Sequence, residues 1–178
     1  RLPFGEKSKK SFHLDAISLL SGNLGFAGSS RSGKSWLAGL LVEKLLKAEY
    51  QVCLIDPEGD YPGIRAFPQT ILLGGANDHI LPVGDVITLI EYSNRSVILD
   101  LSQYPMDQKF AYVEELLTAL YSLRKKYGKP HWILLDEAQY FCPEGDGNLI
   151  DAIMRNLNVG GMGLITYQLQ QLAPKVRK

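Results

Sequence analysis

With 178 residues, 46% of them apolar and 21% charged, the chain has the make-up of one globular domain with a sizeable core. Nineteen Lys and Arg balance nineteen Asp and Glu, which excludes a global field drawing the chain to nucleic acid or a membrane surface. No apolar run is as long as a membrane span and no secretory core opens the chain.

Cys53 and Cys142 lie in or beside apolar runs without zinc-like spacing, so buried, reduced thiols and a cytoplasmic setting are expected. His13, His79 and His131 do not cluster with acids at ligand spacing. The chain begins at Arg1 without an initiator Met, as a piece of a longer protein would. A single domain over residues 1–178 is expected, without repeats or low-complexity tracts.

In chain order, Arg1 to Lys10 is polar and Lys-rich and reads as a loose lead-in. Phe12 to Asp15 alternates as a short strand, and Ala16 to Leu20 reads as a turn of helix. Leu24 to Ala27 is a strand, followed by a Gly/Ser loop and a helix from Trp36 to Lys47. Gln51 to Ile55 is a second apolar strand, closed by turn formers from Asp56 to Gly63. A short strand at Thr70 to Leu73, a helix at Val83 to Tyr92 and a strand at Val97 to Leu101 follow. Asp107 is placed to cap a long helix from Gln108 to Tyr127, which stops at Gly128. Trp132 to Leu135 is a buried strand, Asn148 to Asn158 a helix released at Gly160 and Gly161, and Leu164 to Tyr167 a last strand. Strands alternating with helices predict an α/β fold, a mainly parallel central sheet sandwiched between helical layers.

The loop after the first of these parallel strands carries the chemistry. Gly28-Ser29-Ser30-Arg31-Ser32-Gly33-Lys34-Ser35 fits the phosphate-cradling pattern G-x-x-x-x-G-K-[ST] at every required position. Glycines let successive backbone N–H groups turn inward onto phosphate oxygens. Lys34 adds a charge for the β- and γ-phosphates, Ser35 a hydroxyl for Mg²⁺, and the following helix, opening at Trp36, presents its positive end to the same anion.

The strand from Trp132 to Leu135 delivers Asp136 and Glu137 at its C-terminal end, the edge where parallel sheets bind ligands. Asp136 is expected to support the Mg²⁺ shell opposite Ser35, and Glu137 to orient the water that attacks the γ-phosphate. Gln168, at the tip of the last strand, is expected to sense the γ-phosphate. With Lys34, Glu137 and Gln168 form the predicted catalytic set. Asp56, Glu58 and Asp60 approach the same edge, with coordinating and turn-forming roles both open.

These motifs resemble the HerA/FtsK-like P-loop ATPases, within the additional-strand catalytic-glutamate group that contains RecA-like motors. The resemblance is carried by the lead-in from Phe12 through Asn23 to the Gly28–Ser35 loop, by Ile55-Asp56-Pro57-Glu58-Gly59-Asp60-Tyr61, by Val97 to Ser102, by Ile133 to Phe141 around Asp136-Glu137, and by Gly161 to Gln168. Gln139 stands where the family commonly has His, and Leu169 where an Arg is common. The resemblance implies a RecA-like three-layer sandwich, ATP as the nucleotide, hexameric rings with ATP at subunit interfaces, and double-stranded DNA in the channel. Arg155 is then a candidate arginine finger, and an exposed helix Arg otherwise. Arg124, Lys125, Lys126 and Lys129, and Lys175, Arg177 and Lys178, are the local basic groups, each readable as a phosphate contact or a solvated face. A different class, an ATP-dependent regulatory module with little turnover and no DNA, competes with the motor reading. A small-molecule kinase is a weaker third, because no Arg-bearing lid follows Asp136.

Overall fold

A computed structural model of the chain describes residues 2–7, 10–14, 21–76, 79–142 and 147–177. Six parallel strands form the central sheet: β3 (Asn23–Ala27), β4 (Val52–Asp56), β5 (Thr70–Gly74), β6 (Ser96–Asp100), β7 (Trp132–Leu135) and β8 (Met162–Thr166), in the spatial order β3-β8-β7-β4-β6-β5. The connecting helices are α1 (Lys34–Lys47), α2 (Val83–Ser93), α3 (Met106–Tyr127), the single turn α4 (Ala138–Phe141) and α5 (Asn148–Val159).

The inner strands are buried on both faces because both are apolar, as crossover helices require. Alternation along each strand divides the core in two. Cys53, Ile55, Val97, Leu99, Ile133 and Leu135 face a layer built on α2, α3 and α5. Val52, Leu54, Ile98, Trp132, Leu134 and Ile165 face α1 and the 3₁₀ turn Pro62–Ala66. The result is the expected three-layer α/β sandwich. Burial pushes both Cys53 and Cys142 thiols up to about 12, so they stay protonated.

Some expectations are corrected. Leu2–Lys7 (β1) and Lys10–Leu14 (β2) pair antiparallel as a hairpin, so the lead-in is strand over these residues. Asp15 and the helical turn expected from Ala16 to Leu20 lie outside the described residues. α3 starts at Met106 behind Pro105, whose extended backbone (φ −66°, ψ 156°) ends the preceding loop; Asp107 sits inside the first turn, where its charge still suits the helix dipole. β8 starts at Met162, two residues earlier than its apolar pattern implied. Gly163 pairs with Leu134 within the strand, and a Cβ there would come within 2.2 Å of a Leu134 methyl. Arg124 leaves the basic surface cluster: it is buried and donates to the carbonyls of Asn156 (3.4 Å) and Gly160. Burial lowers its guanidinium to about 10.

Candidate nucleotide site

Strand register sets the site. Ala27 of β3 lies opposite Thr166 of β8, Leu135 of β7 opposite Leu164 of β8, and Ile55 of β4 opposite Leu135. Each chain therefore leaves the sheet at the same edge. The Gly28–Ser35 loop, Tyr167-Gln168, Asp136-Glu137 and Asp56 emerge side by side, with β8 inserted between the loop strand and the acidic strand.

The loop turns through two left-handed residues, Arg31 (φ 61°) and Gly33 (φ 90°). It is tied down at its start by Gly28 N–H donating to the Thr166 carbonyl (3.3 Å) and internally by Ser32 N–H donating to the Ser29 carbonyl (3.1 Å). A Cβ at Gly28 would stand 2.4 Å from Ser32 Oγ, so the curl admits only glycine there without moving Ser32. Lys34 Nζ arches back to the Ser29 carbonyl (3.4 Å), 5.9 Å from the Tyr167 ring centre. The first turn of α1 carries no acidic residue, leaving its positive end free for an anion. Trp36 projects from that turn, 72% exposed, at the rim of a cleft of about 490 Å³ that also includes Ser35, Asp60, Tyr61, Ile64 and Phe67.

Between Ser35 and Asp136 the structure places two residues whose roles the sequence left open or did not raise. Ser35 Oγ donates to Asp60 Oδ2 (3.3 Å), and the buried Tyr61 hydroxyl donates to Asp136 Oδ2 (2.7 Å). The signal for Asp60 and Tyr61 was in the Asp56–Tyr61 motif. Asp56 organises this loop by accepting the N–H groups of Glu58 (3.1 Å) and Gly59 (2.8 Å) on one carboxylate oxygen. Burial raises Asp136 to about 6, the Tyr61 and Glu137 N–H bonds opposing it, and burial likewise raises Asp56 to about 6. Burial also pushes the Tyr61 phenol up, so it is a permanent donor to Asp136.

Among the described residues no group of three His, Cys, Asp or Glu stands ready to hold a metal ion. The donor set of one hydroxyl with Asp60 and Asp136 nearby fits Mg²⁺, which takes one or two protein oxygens and completes its shell with water and phosphate. Glu137 follows Asp136 in a left-handed conformation (φ 45°, ψ 45°), and its N–H donates to Asp136 Oδ1 (2.8 Å). Its carboxylate accepts from the Gln139 amide. Gln168 is exposed beside the loop, past the tip of β8. Arg155 is exposed on α5, while Lys125 and Lys126 are exposed at the C-terminal end of α3, which leads to the opposite sheet edge.

A glycine-rich phosphate loop and an acidic strand tip flanking an inserted strand define a P-loop nucleoside triphosphatase of the additional-strand type. Residues 4–82 match the family model described as the central domain of helicase HerA. That match covers less than half of the chain, and it agrees with the resemblance of the motifs to HerA/FtsK-like P-loop ATPases. Among solved structures, it is similar to the genome packaging NTPase B204 from Sulfolobus turreted icosahedral virus 2 in complex with ATP-gammaS, at 19% identity and TM-score 0.59 over 88% of this chain and 70% of that one. It is also similar to B204, the DNA-packaging ATPase from Sulfolobus turreted icosahedral virus, at 18% identity and TM-score 0.56 with the same coverage. No curated protein matches the chain. Among the described residues no helix is long and apolar enough to cross a membrane.

Proposed function

We propose that this domain binds ATP with Mg²⁺ along Gly28 to Ser35 and hydrolyses it, as the motor domain of a DNA translocase or helicase. The observation that carries the reading is the strand register that brings the phosphate loop, Asp136-Glu137 and the β8 tip to one edge. Lys34 contacts the β- and γ-phosphates, and Ser35 with Asp136 holds the metal. Glu137 orients the attacking water and takes its proton, and Gln168 contacts the γ-phosphate. Mg²⁺, when bound, neutralises charge on the transferring phosphoryl group.

Duplex DNA as the track and a homo-hexamer as the working form are part of the proposal. They are supported by the match to the HerA central domain and by the likeness to a protein described as a DNA-packaging ATPase. Purified protein should turn over ATP only with Mg²⁺. Glu137→Gln should retain ATP binding while turnover falls by about 10²- to 10⁴-fold, and Lys34→Ala should weaken binding itself. Duplex DNA should accelerate turnover, less so as salt rises. Normal turnover by Glu137→Gln removes the catalytic assignment. The neutral net charge and the buried Arg124 favour the second reading, a regulatory ATP module, and turnover indifferent to DNA would select it.

A further inference from the structure

Gln139 lies on the one-turn helix α4, which is seated by the buried Ala138 and Phe141. Its amide reaches across to β8. The Gln139 oxygen accepts from the Thr166 hydroxyl (2.8 Å) and from the Tyr167 backbone N–H (3.3 Å). A backbone N–H only donates, so the oxygen of the amide is fixed on this side and its NH₂ group on the other. That NH₂ group donates to Glu137 Oε2. Thr166 is fully buried at the strand tip, and its carbonyl is the acceptor that anchors the phosphate loop through Gly28 N–H. One continuous chain of hydrogen bonds therefore runs from Gly28 through Thr166 and Gln139 to the Glu137 carboxylate.

We propose that Gln139 is a positioning residue that fastens the Glu137 carboxylate to the tip of β8, so that the water-orienting group, the phosphate loop and the strand end bearing Gln168 hold a common register. This rests on the reading of Glu137 as the group that orients water. The backbone of Glu137 is already held by its left-handed turn and by the bond from its N–H to Asp136. Three side-chain torsions remain, and only a contact to the carboxylate itself can remove them. Freezing a glutamate side chain is worth on the order of 10-fold in rate when the frozen rotamer is the reactive one.

The test compares Gln139→Leu, Thr166→Val, the double variant and Gln139→His with the parent protein. Gln139→Leu is expected to lower kcat by about 10-fold while the KM for ATP and the affinity for ATPγS stay within about 2-fold. The double variant should lose no more than Gln139→Leu alone, because both changes cut one chain of bonds. Gln139→His, which keeps one N–H donor and one acceptor, should recover most of the rate. In nucleotide-free protein labelled with ¹³C at glutamate carboxyls, the Glu137 resonance, identified by its loss in Glu137→Gln, should move in Gln139→Leu. Unchanged kcat in Gln139→Leu, additive losses in the double variant, or an unmoved Glu137 resonance overturns the proposal. If Gln139→Leu does not fold, Thr166→Val carries the same kcat and resonance criteria. Normal turnover by Glu137→Gln would instead overturn the role of Glu137, a result distinct from a neutral Gln139 on an enzyme that needs Glu137.

Discussion

Asp56→Asn should make this protein more stable at pH 8, and the gain should shrink as the pH is lowered. Asp56 is 1% exposed at the end of β4, and burial raises it from 3.8 to about 6, with the charge of Asp100 adding to the rise. The folded state therefore holds this proton more tightly than the unfolded chain. Its contribution to stability is fully present below pH 3.8 and is lost as pH rises through about 6. At 1.36 kcal/mol per pH unit, the ionised carboxylate costs about 3 kcal/mol at pH 8. Asparagine keeps the single oxygen that accepts both Glu58 and Gly59 N–H groups and removes the charge. If the new NH₂ group finds no partner it forfeits about 1–3 kcal/mol, and does so equally at every pH. The pH dependence is thus the diagnostic quantity. Urea unfolding without metal or nucleotide should show the gap between variant and parent widening by about 1.4 kcal/mol from pH 5 to pH 8. For a chain of this size that is a change of about 3–6 °C in the Tm difference. A gap that is constant across this range would refute the reasoning, whatever its sign.

Gly74→Ala should destabilise the fold by at least about 2 kcal/mol in the same assay, since φ is +85° and a Cβ would lie 2.2 Å from the Asp100 carbonyl oxygen. Gly84→Ala, near the start of α2 with open space around it, should instead add about 0.5–1 kcal/mol. Arg124→Met should cost about 2–4 kcal/mol in unfolding, because the carbonyls of Asn156 and Gly160 lose a buried charged donor. It should leave the salt dependence of DNA-stimulated turnover as it was. Tyr61→Phe should cost about 1.5–3 kcal/mol at pH 8 by removing the hydroxyl that donates to Asp136.

The two halves of the site could be read in the sequence because each is local. Gly28 to Ser35 specifies its own curl, and an apolar strand ending in Asp136-Glu137 announces a sheet edge by composition. The parallel sheet followed equally from alternation of short apolar runs with helical ones. Strand order did not follow. That β8, the last strand in the chain, lies between β3 and β7 is a matter of long-range pairing, which periodicity does not encode. The contact between Gln139 and Thr166 was invisible for the same reason, since it spans 27 positions. Arg124 was misplaced because a cation in the last turn of a helix looks solvated in sequence, and only the packing of α3 on α5 buries it. Of the β1–β2 hairpin, Phe12 to Leu14 was legible as strand from its alternation, whereas Leu2–Lys7, broken by Pro3 and Gly5, was not.

The loop from Asp56 to Tyr61 joins these observations. Its geometry is imposed by the buried Asp56 carboxylate, and it delivers Asp60 to Ser35 and Tyr61 to Asp136. Two buried carboxylates, both raised to about 6, therefore lie at the edge where phosphate and metal would bind. An apolar core has no use for such groups, and replacing them should stabilise the ligand-free fold. A divalent cation arriving there would meet a desolvated Asp136 that already gives one oxygen to Tyr61 and one to the Glu137 N–H, so it would share those oxygens with these two donors. If Asp136 supports Mg²⁺ as proposed, metal binding should ionise it and release protons below about pH 7, so that the measured Mg²⁺ affinity falls as the pH is lowered; an affinity indifferent to pH between about 5 and 8 would refute this coupling.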